Sequence, residues 1–175
     1  MIAYLQLPSS SVLVDQLDFF AKLQGVERWE VDSPASTYLQ LEPWMKKQSI
    51  RHLYQALRSY FGPLIRFGAA EQKTTARAAA LYRPVPHATI ITPELTEAFL
   101  AELPISLLPG LGRRTARYLK RQGITTFSAF RRLPSETLKE WFGVSGLILQ
   151  QFAQGIDPRS VERRQRFVPA TAASA

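Results

Sequence analysis

The sequence predicts an α+β fold in which a small mixed α/β layer, residues 1–91, precedes an all-helical segment, residues 92–160. Two observations predict this division. Before residue 92, short apolar segments of strand length alternate with segments of helical periodicity, whereas only helical spacing follows. Basic residues are also concentrated in the C-terminal third. Residues 161–175 are basic and then small and polar, which predicts an unstructured tail.

The α/β layer is predicted from short segments that end at proline, glycine or serine. The best defined is the helix over residues 47–61, which has one apolar face and ends before Gly62. An alanine-rich helix over residues 71–82 carries small side chains that permit close packing on a sheet. A further helix is predicted over residues 13–23. Strands are predicted at residues 2–7, 29–31, 38–41, 64–67 and 88–91.

The helical segment begins with Thr92 as the predicted N-cap and Pro93 at the first helical position. Apolar spacing then predicts helices at about 93–102, 105–108, 113–121, 126–131, 135–141 and 145–154. The sequence shows no internal repeat. From Thr92 onward the prediction is therefore purely helical.

Composition excludes several classes of protein. An apolar content of 46% is sufficient for a buried core, and the absence of cysteine excludes disulfides and thiolate metal sites. Two histidines do not form a zinc site by themselves, so no metal or cofactor is predicted. No segment approaches the roughly 20 apolar residues of a membrane span. We therefore expect a soluble, cytoplasmic protein without a membrane partner.

The net charge of +8 is unevenly distributed along the chain. Residues 1–109 hold 10 basic and 10 acidic side chains, whereas residues 110–166 hold 12 basic and 4 acidic ones. A charge that served only solubility would be spread over the whole chain. The asymmetry therefore indicates a local polyanionic partner.

A glycine-containing turn opens this basic segment, in the run LPGLGRRTARYLKRQGI. Its backbone N–H groups and the dipole of the helix that follows would face a bound phosphate. Such a turn between two short helices is typical of helix-hairpin-helix elements, so we predict DNA binding through phosphates without sequence specificity. The predicted DNA-binding residues are Gly110, Leu111, Gly112, Arg113, Arg114, Thr115, Arg117, Lys120 and Arg121.

Two long segments resemble the Y-family (translesion, UmuC/DinB-type) DNA polymerases. Residues 102–157, from ELPISLLPGLG to QGID, resemble the thumb of that family. The run RFGAAEQKTTARAAALYRP resembles a palm segment, with matches at Gly68, Lys73, Ala76, Arg77 and Ala79. The resemblance implies a palm-like layer, a thumb-like helical domain and a role in DNA repair.

The family's catalytic carboxylates have no counterpart here. The family carries an Asp-Glu pair in the run S-I-D-E-A-F-L-D-L, where this chain has Ala35 and Ser36. The first strand supplies no acid if it is residues 2–7, and a second register at residues 12–15 restores only Asp15. Polymerase chemistry needs carboxylates that hold two Mg²⁺ ions. These departures from the family's pattern thus predict no catalytic residues and favour a chain that is not an enzyme.

Other departures concern whole segments. About 25 residues separate Leu7 from Ser33, where the family inserts its fingers, and the chain ends after the thumb. These departures resemble those of inactive relatives, such as the ImuB-type accessory proteins of SOS mutagenesis. The expectation is a truncated, non-catalytic protein of translesion synthesis, associated with the bacterial nucleoid. Lys73 matches a lysine that contacts the triphosphate in active relatives, and here it is either vestigial or a phosphate contact.

Alternatives remain open. The chain can instead be a protein-interaction module that docks on a recombinase, a sliding clamp or a replicative polymerase. A run that resembles a clamp-binding peptide, but also fits the inner face of a helix, comprises Gln16, Leu17, Phe19 and Phe20. A cryptic polymerase would use Asp15 and Asp32. Trp141 and Phe142 are candidates for base stacking, with packing in a helical core as the favoured interpretation.

Overall fold

The computed structural model describes residues 1–8, 16, 26, 28–43, 45–85 and 87–162. Its strands are β1 Ile2–Gln6, β2 Trp29–Ser33, β3 Ser36–Gln40, β4 Arg66–Ala70 and β5 Ala88–Ile90. Its helices are α1 Lys47–Phe61, α2 Lys73–Tyr82, α3 Pro93–Ala101, α4 Arg113–Arg121, α5 Phe127–Arg131, α6 Ser135–Phe142 and α7 Val144–Ala153, with a 3₁₀ turn at Ile105–Leu107. The described strands all precede residue 92 and only helices follow, which confirms the predicted α+β class.

The strands form one sheet in the order β2-β3-β1-β4-β5. Neighbouring strands are antiparallel except β4 and β5, which are parallel. In the central strand β1, Tyr4 lies opposite Tyr38 of β3 and opposite Gly68 of β4. Residues 2–6 therefore form the strand expected at residues 2–7, and residues 12–15 of the second register lie outside the described residues.

The two faces of the sheet are covered by different helices. Alternate residues of β1 point to opposite faces, as the period of two in a strand requires. One face packs on α1 and includes Ala3, Leu5, Leu39, Ile50 and Leu57. The other packs on α2 and includes Ile2, Tyr4, Tyr38, Ala76 and Ala79. The predicted close packing of the alanine-rich helix is thereby confirmed.

The position of β4 differs from the prediction. It covers residues 66–70 instead of 64–67, because Leu64 is exposed and Gly68 lies against α2. A Cβ atom at Gly68 would lie 2.3 Å from the carbonyl oxygen of Ala76 and 2.3 Å from the amide nitrogen of Ala80. Small residues with low strand propensity thus occupy β4 because the helix must approach closely.

The helical segment has its own apolar core, which comprises Leu100, Leu103, Ile105, Leu108, Leu119, Ile124, Phe127, Phe130, Leu138, Leu149 and Phe152. Ala78 of α2 joins this core and so connects it to the sheet layer. Thr92 occupies the N-cap of α3 as predicted, but its side chain accepts no capping hydrogen bond, and Pro93 is the first helical residue. No helix within the described ranges is long and apolar enough to cross a membrane.

The segment after α7 returns to the sheet layer. Val161 is buried beside Ile2, Tyr4 and Tyr38, and the amide of Glu162 donates to the Oε2 atom of Glu30 at 2.9 Å. Residues 161–162 were expected in the tail, but they pack on the sheet because Val161 fills an apolar site there. Residues 163–175 lie outside the described residues.

Candidate nucleic-acid interface

The predicted hairpin, residues 109–112, connects the 3₁₀ turn to α4. Gly110 has φ +82°, a left-handed conformation that glycine adopts without strain. Gly112 is the N-cap of α4 with φ −64° and ψ 156°, which any residue adopts. A Cβ atom at Gly112 would meet no atom within 4 Å. The turn therefore favours glycine at position 110, whereas the backbone conformation and the surroundings of position 112 allow other residues.

Helix α4 is anchored to the core by one apolar stripe. Ala116 and Leu119 are buried, and this spacing of three places both on one face. The opposite side carries five exposed cations, Arg113, Arg114, Arg117, Lys120 and Arg121. None of the five has a hydrogen-bond or ion-pair partner among the described side chains. The structure thus presents a continuous basic surface, with the half-buried Thr115 beside it.

The charge at the start of α4 opposes the stability of the isolated helix. Its first turn holds Arg113 and Arg114 and no acidic side chain. Helix N-termini carry partial positive charge, so each cation there is unfavourable by about 0.3–1 kcal/mol. An anion bound at this end would interact favourably with both arginines and with the helix dipole.

Backbone amides at the hairpin are also available. The amides of Gly112, Arg113, Arg114 and Thr115 donate no hydrogen bond within the described residues, and the first amide bonded in α4 is that of Ala116, to Gly112 at 2.9 Å. The Leu111 amide, which the sequence predicts to face a phosphate, instead donates to the carbonyl of Leu108 at 3.2 Å. Leu111 therefore acts by packing against the core instead of offering its amide.

A second hairpin, residues 142–145, connects α6 to α7. Gly110 and Gly123 flank α4 with φ +82° and +79°, and Gly143 and Gly155 flank α7 with φ +62° and +82°. The two helix starts differ, because Gly143 is itself the N-cap of α7 with φ +62°, whereas the N-cap of α4 is Gly112 with φ −64°. Helix α7, VSGLILQQFA, carries no basic residue. Only the first hairpin has the charge for a phosphate contact.

The residues predicted to match the family's carboxylates, Ala35 and Ser36, lie at the sheet. Ala35 is in the turn between β2 and β3, and Ser36 begins β3. Ser36 lies directly opposite Gln6 in the β1–β3 register, so the central strand contributes no acid beside it. No group of three or more acidic, histidine or cysteine residues that would hold a metal ion exists within the described parts of the chain. These residues do not fit a two-metal centre.

The two carboxylates of β2 are occupied by partners within the chain. Glu30 Oε2 lies 2.6 Å from the ammonium of Lys73. Asp32 Oδ2 accepts hydrogen bonds from the hydroxyl of Tyr4 at 2.9 Å and from that of Ser36 at 3.2 Å. Burial and the Asp32 charge raise the pKa of Tyr4. Burial and the Asp32 charge also raise the pKa of Tyr38. Both phenols are therefore neutral.

Lys73 lies apart from the exposed basic surface. It is 3% exposed, is paired with Glu30, and has its ammonium 5.1 Å from the ring centre of Tyr38. A phosphate contact by Lys73 would require this ion pair to open.

Of the residues that resemble a clamp-binding peptide, Gln16 is half-buried, and Leu17, Phe19 and Phe20 lie outside the described residues.

Contacts across long sequence separations were missed by the sequence analysis. Asp157 accepts hydrogen bonds from the amide and hydroxyl of Thr74 at 3.0 and 2.8 Å, and from Arg159 Nε at 2.7 Å. The exposed ring of Tyr118 contacts that of Trp141. The family resemblance includes the closing run Gly155-Ile156-Asp157, but no local sequence pattern indicates these hydrogen bonds or the ring contact.

Comparison with known sequences identifies related proteins, although no protein-family model matches the chain. The chain is 39% identical over 99 residues to DNA polymerase IV of Pseudomonas entomophila, which covers 57% of this chain and 28% of that protein. It is 41% identical over 101 residues to DNA polymerase IV of Pseudomonas aeruginosa, with 56% of this chain and 29% of that protein covered. The chain thus spans less than a third of the length of these relatives.

Solved structures show the same fold over most of the chain. The crystal structure of DinB from Sulfolobus solfataricus aligns with a TM-score of 0.70 and 24% identity, over 83% of this chain and 46% of that one. The insertion ternary complex of Dbh DNA polymerase aligns with a TM-score of 0.69 and 24% identity, over 83% and 45%. By sequence and by fold, the chain is therefore homologous to the DinB-type DNA polymerases of the Y family, with the palm and thumb regions as the similar part.

Proposed function

We propose that this chain is a non-catalytic, Y-family polymerase-like protein that binds DNA through a helix-hairpin-helix element and acts in translesion synthesis. The observation that carries the proposal is the first hairpin, where exposed cations and backbone amides lie close in sequence and neither has a partner among the described residues. Charge and free amides supply the main part of phosphate affinity. Contacts of this kind do not read bases, so the binding is independent of sequence.

The side chains at the sheet support the absence of catalysis. Phosphoryl transfer needs carboxylates that hold Mg²⁺ against the triphosphate and the primer oxygen. Gln6, Ala35 and Ser36 supply none, and Glu30 is bonded to Lys73. A cryptic polymerase that used Asp32 would have to displace its hydrogen bonds to Tyr4 and Ser36. We expect no primer extension with Mg²⁺ or Mn²⁺.

The proposed role places the protein beside a catalytically competent polymerase at damaged DNA, as part of SOS-type mutagenesis. Its expected location is the nucleoid of a bacterial cytoplasm, since the matched relatives include bacterial DNA polymerase IV. Docking on a sliding clamp, a recombinase or another polymerase stays a prediction. Recovery of a protein partner after nuclease treatment would favour the interaction module, with DNA binding as a secondary property.

The test is a charge reversal at the hairpin. We expect Arg113→Glu with Arg117→Glu to weaken binding to every DNA sequence by about tenfold or more, and to reduce the slope of affinity against salt, because phosphate contacts are lost. Fluorescence anisotropy with labelled DNA over a range of salt concentrations measures both quantities.

The matched control is Arg51→Glu with Arg58→Glu, which changes the net charge equally at two exposed positions of α1. This control is expected to retain most of the affinity. An equal loss in both double variants would show that only net charge matters, and unchanged affinity in the hairpin variant would reject the hairpin as the contact site.

A further inference from the structure

Two large aromatic side chains, one on α4 and one on α6, meet at the surface. Tyr118 of α4 is 47% exposed and Trp141 of α6 is 36% exposed. Their ring centres are 5.9 Å apart with an interplanar angle of 80°, an edge-to-face contact. The exposed parts of both side chains leave apolar surface in contact with water, which is unfavourable relative to burial.

The position of this pair is fixed by the core beneath it. Phe142, next to Trp141, is half-buried and its ring centre lies 6.2 Å from that of the fully buried Phe130. Leu119, next to Tyr118, is also fully buried. Each exposed ring is therefore adjacent in sequence to an apolar residue that packs in the core. Of the two candidates for base stacking, Trp141 is exposed, whereas Phe142 packs against Phe130.

The surroundings of the pair are basic. Arg114 and Arg121 are four residues before and three residues after Tyr118, so they share its face of α4. Both are exposed and have no ion-pair partner among the described residues. An exposed aromatic surface flanked by free cations is complementary to a ligand that has flat apolar rings and negative charge.

We propose that Tyr118 and Trp141 form a stacking platform for an unpaired nucleobase of DNA. This inference rests on the proposed function, because the cations of α4 hold the neighbouring backbone. Every base has a π-face, so stacking adds affinity without sequence preference. Paired bases inside a duplex do not offer that face. The platform therefore selects DNA in which unpaired bases adjoin a duplex.

The test compares three DNA probes of the same duplex sequence: a blunt duplex, the duplex with a single-stranded overhang, and the duplex with an equally long abasic overhang. The abasic probe keeps the phosphates and lacks the bases. Wild-type protein is expected to bind the overhang with bases about tenfold more tightly than the abasic overhang. Trp141→Ala and Tyr118→Ala should each remove most of that difference and leave binding to the blunt duplex nearly unchanged.

Two further variants serve as controls. Tyr118→Phe keeps the ring and is expected to retain the preference. Tyr82→Ala removes a matched tyrosine, which is 45% exposed and in edge-to-face contact with Phe99 at 5.6 Å, but lies at the end of α2 instead of on α4 or α6. It should bind all three probes as the wild type does. Because these rings are exposed, circular dichroism is expected to show that every variant folds.

Tryptophan fluorescence gives an independent measurement. Stacking of a base on Trp141 is expected to quench emission when the overhang with bases is added, and Trp141→Phe should remove that change. Wild-type protein that binds duplex but does not distinguish the overhang from its abasic form would overturn the platform and leave the proposed function standing. Protein that binds none of the probes would overturn the proposed function. Alanine variants that keep all DNA affinities but lose a protein partner would assign the pair to a protein contact instead.

Discussion

Gly110 and Gly112 lie in the same hairpin, but their backbone conformations and surroundings differ. At Gly110, φ is +82° and an added Cβ atom would lie 3.3 Å from Leu149 Cδ2. At Gly112, φ is −64° and space is open. The first glycine serves the turn itself. The second is not required by the turn, and under the proposed function it lets a phosphate approach the backbone amides closely.

Alanine substitutions separate these two roles. Gly110→Ala is expected to lower the free energy of unfolding by about 1–2 kcal/mol, because an L-residue is strained in the left-handed region. Gly112→Ala should change stability by less than about 0.5 kcal/mol and still weaken DNA binding severalfold. Urea denaturation and fluorescence anisotropy measure the two effects. If Gly112→Ala bound DNA as tightly as wild type, close approach of the backbone would not be part of recognition.

At the scale of elements, the contact between α2 and β4 determines how the sheet is covered. Gly68 lets the helix backbone approach, and the alanines of α2 provide a flat surface against the sheet. The helix was predicted at 71–82 from composition and is found at Lys73–Tyr82. The start of β4 was displaced by two residues, because tertiary contact outweighed strand propensity.

We expect Gly68→Ala to destabilise the protein by about 3 kcal/mol or more, since the new methyl group would overlap helix backbone that has no room to move. Thermal denaturation followed by circular dichroism measures the loss. The same methyl group added at Gly112 is the control, because no atom lies within 4 Å of it. A Gly68→Ala protein as stable as wild type would contradict the packing of α2 on β4.

At the scale of the whole molecule, Asp157 joins the helical segment to the sheet layer. Gln72, the N-cap of α2, makes no side-chain capping bond to the helix. Asp157 supplies that bond from a distant segment by accepting from the Thr74 amide at 3.0 Å, and Gln72 accepts from the Asp157 amide. Burial alone would raise the pKa of Asp157, but hydrogen bonds from Arg159 and Thr74 hold it below its ordinary value.

This pKa makes stability depend on pH. Because the unfolded carboxyl, with a pKa of about 3.9, binds a proton before the folded one, the contribution of Asp157 is complete above about pH 4 and is lost as pH falls through the folded pKa. Asp157→Asn is expected to lower stability at neutral pH by about 1 kcal/mol and to flatten the decline in acid. Urea denaturation at several pH values measures it. Glu140→Gln, at an exposed carboxylate, is the control, and an equal decline in both variants would contradict this assignment.

The sequence by itself determined the order of the elements, their class and the hairpin with its basic helix. Helix α1 has the predicted bounds, Lys47–Phe61, and α4 was placed at Arg113–Arg121. These features depend on residues a few positions apart, and their periodicity, turns and charges are visible in the chain. The resemblance to Y-family polymerases also came from collinear runs, and the sequence comparisons support it.

Only the tertiary structure decided which side chains are free to act. Glu30 and Lys73 are separated by 43 residues, and Thr74 and Asp157 by 83. The cations of α4 and the side chains of Tyr118 and Trp141 are exposed, whereas the carboxylates of β2 are bonded to Lys73 and Tyr4. The physical reason is that pairing and burial depend on distances across the folded chain, which local sequence patterns do not contain.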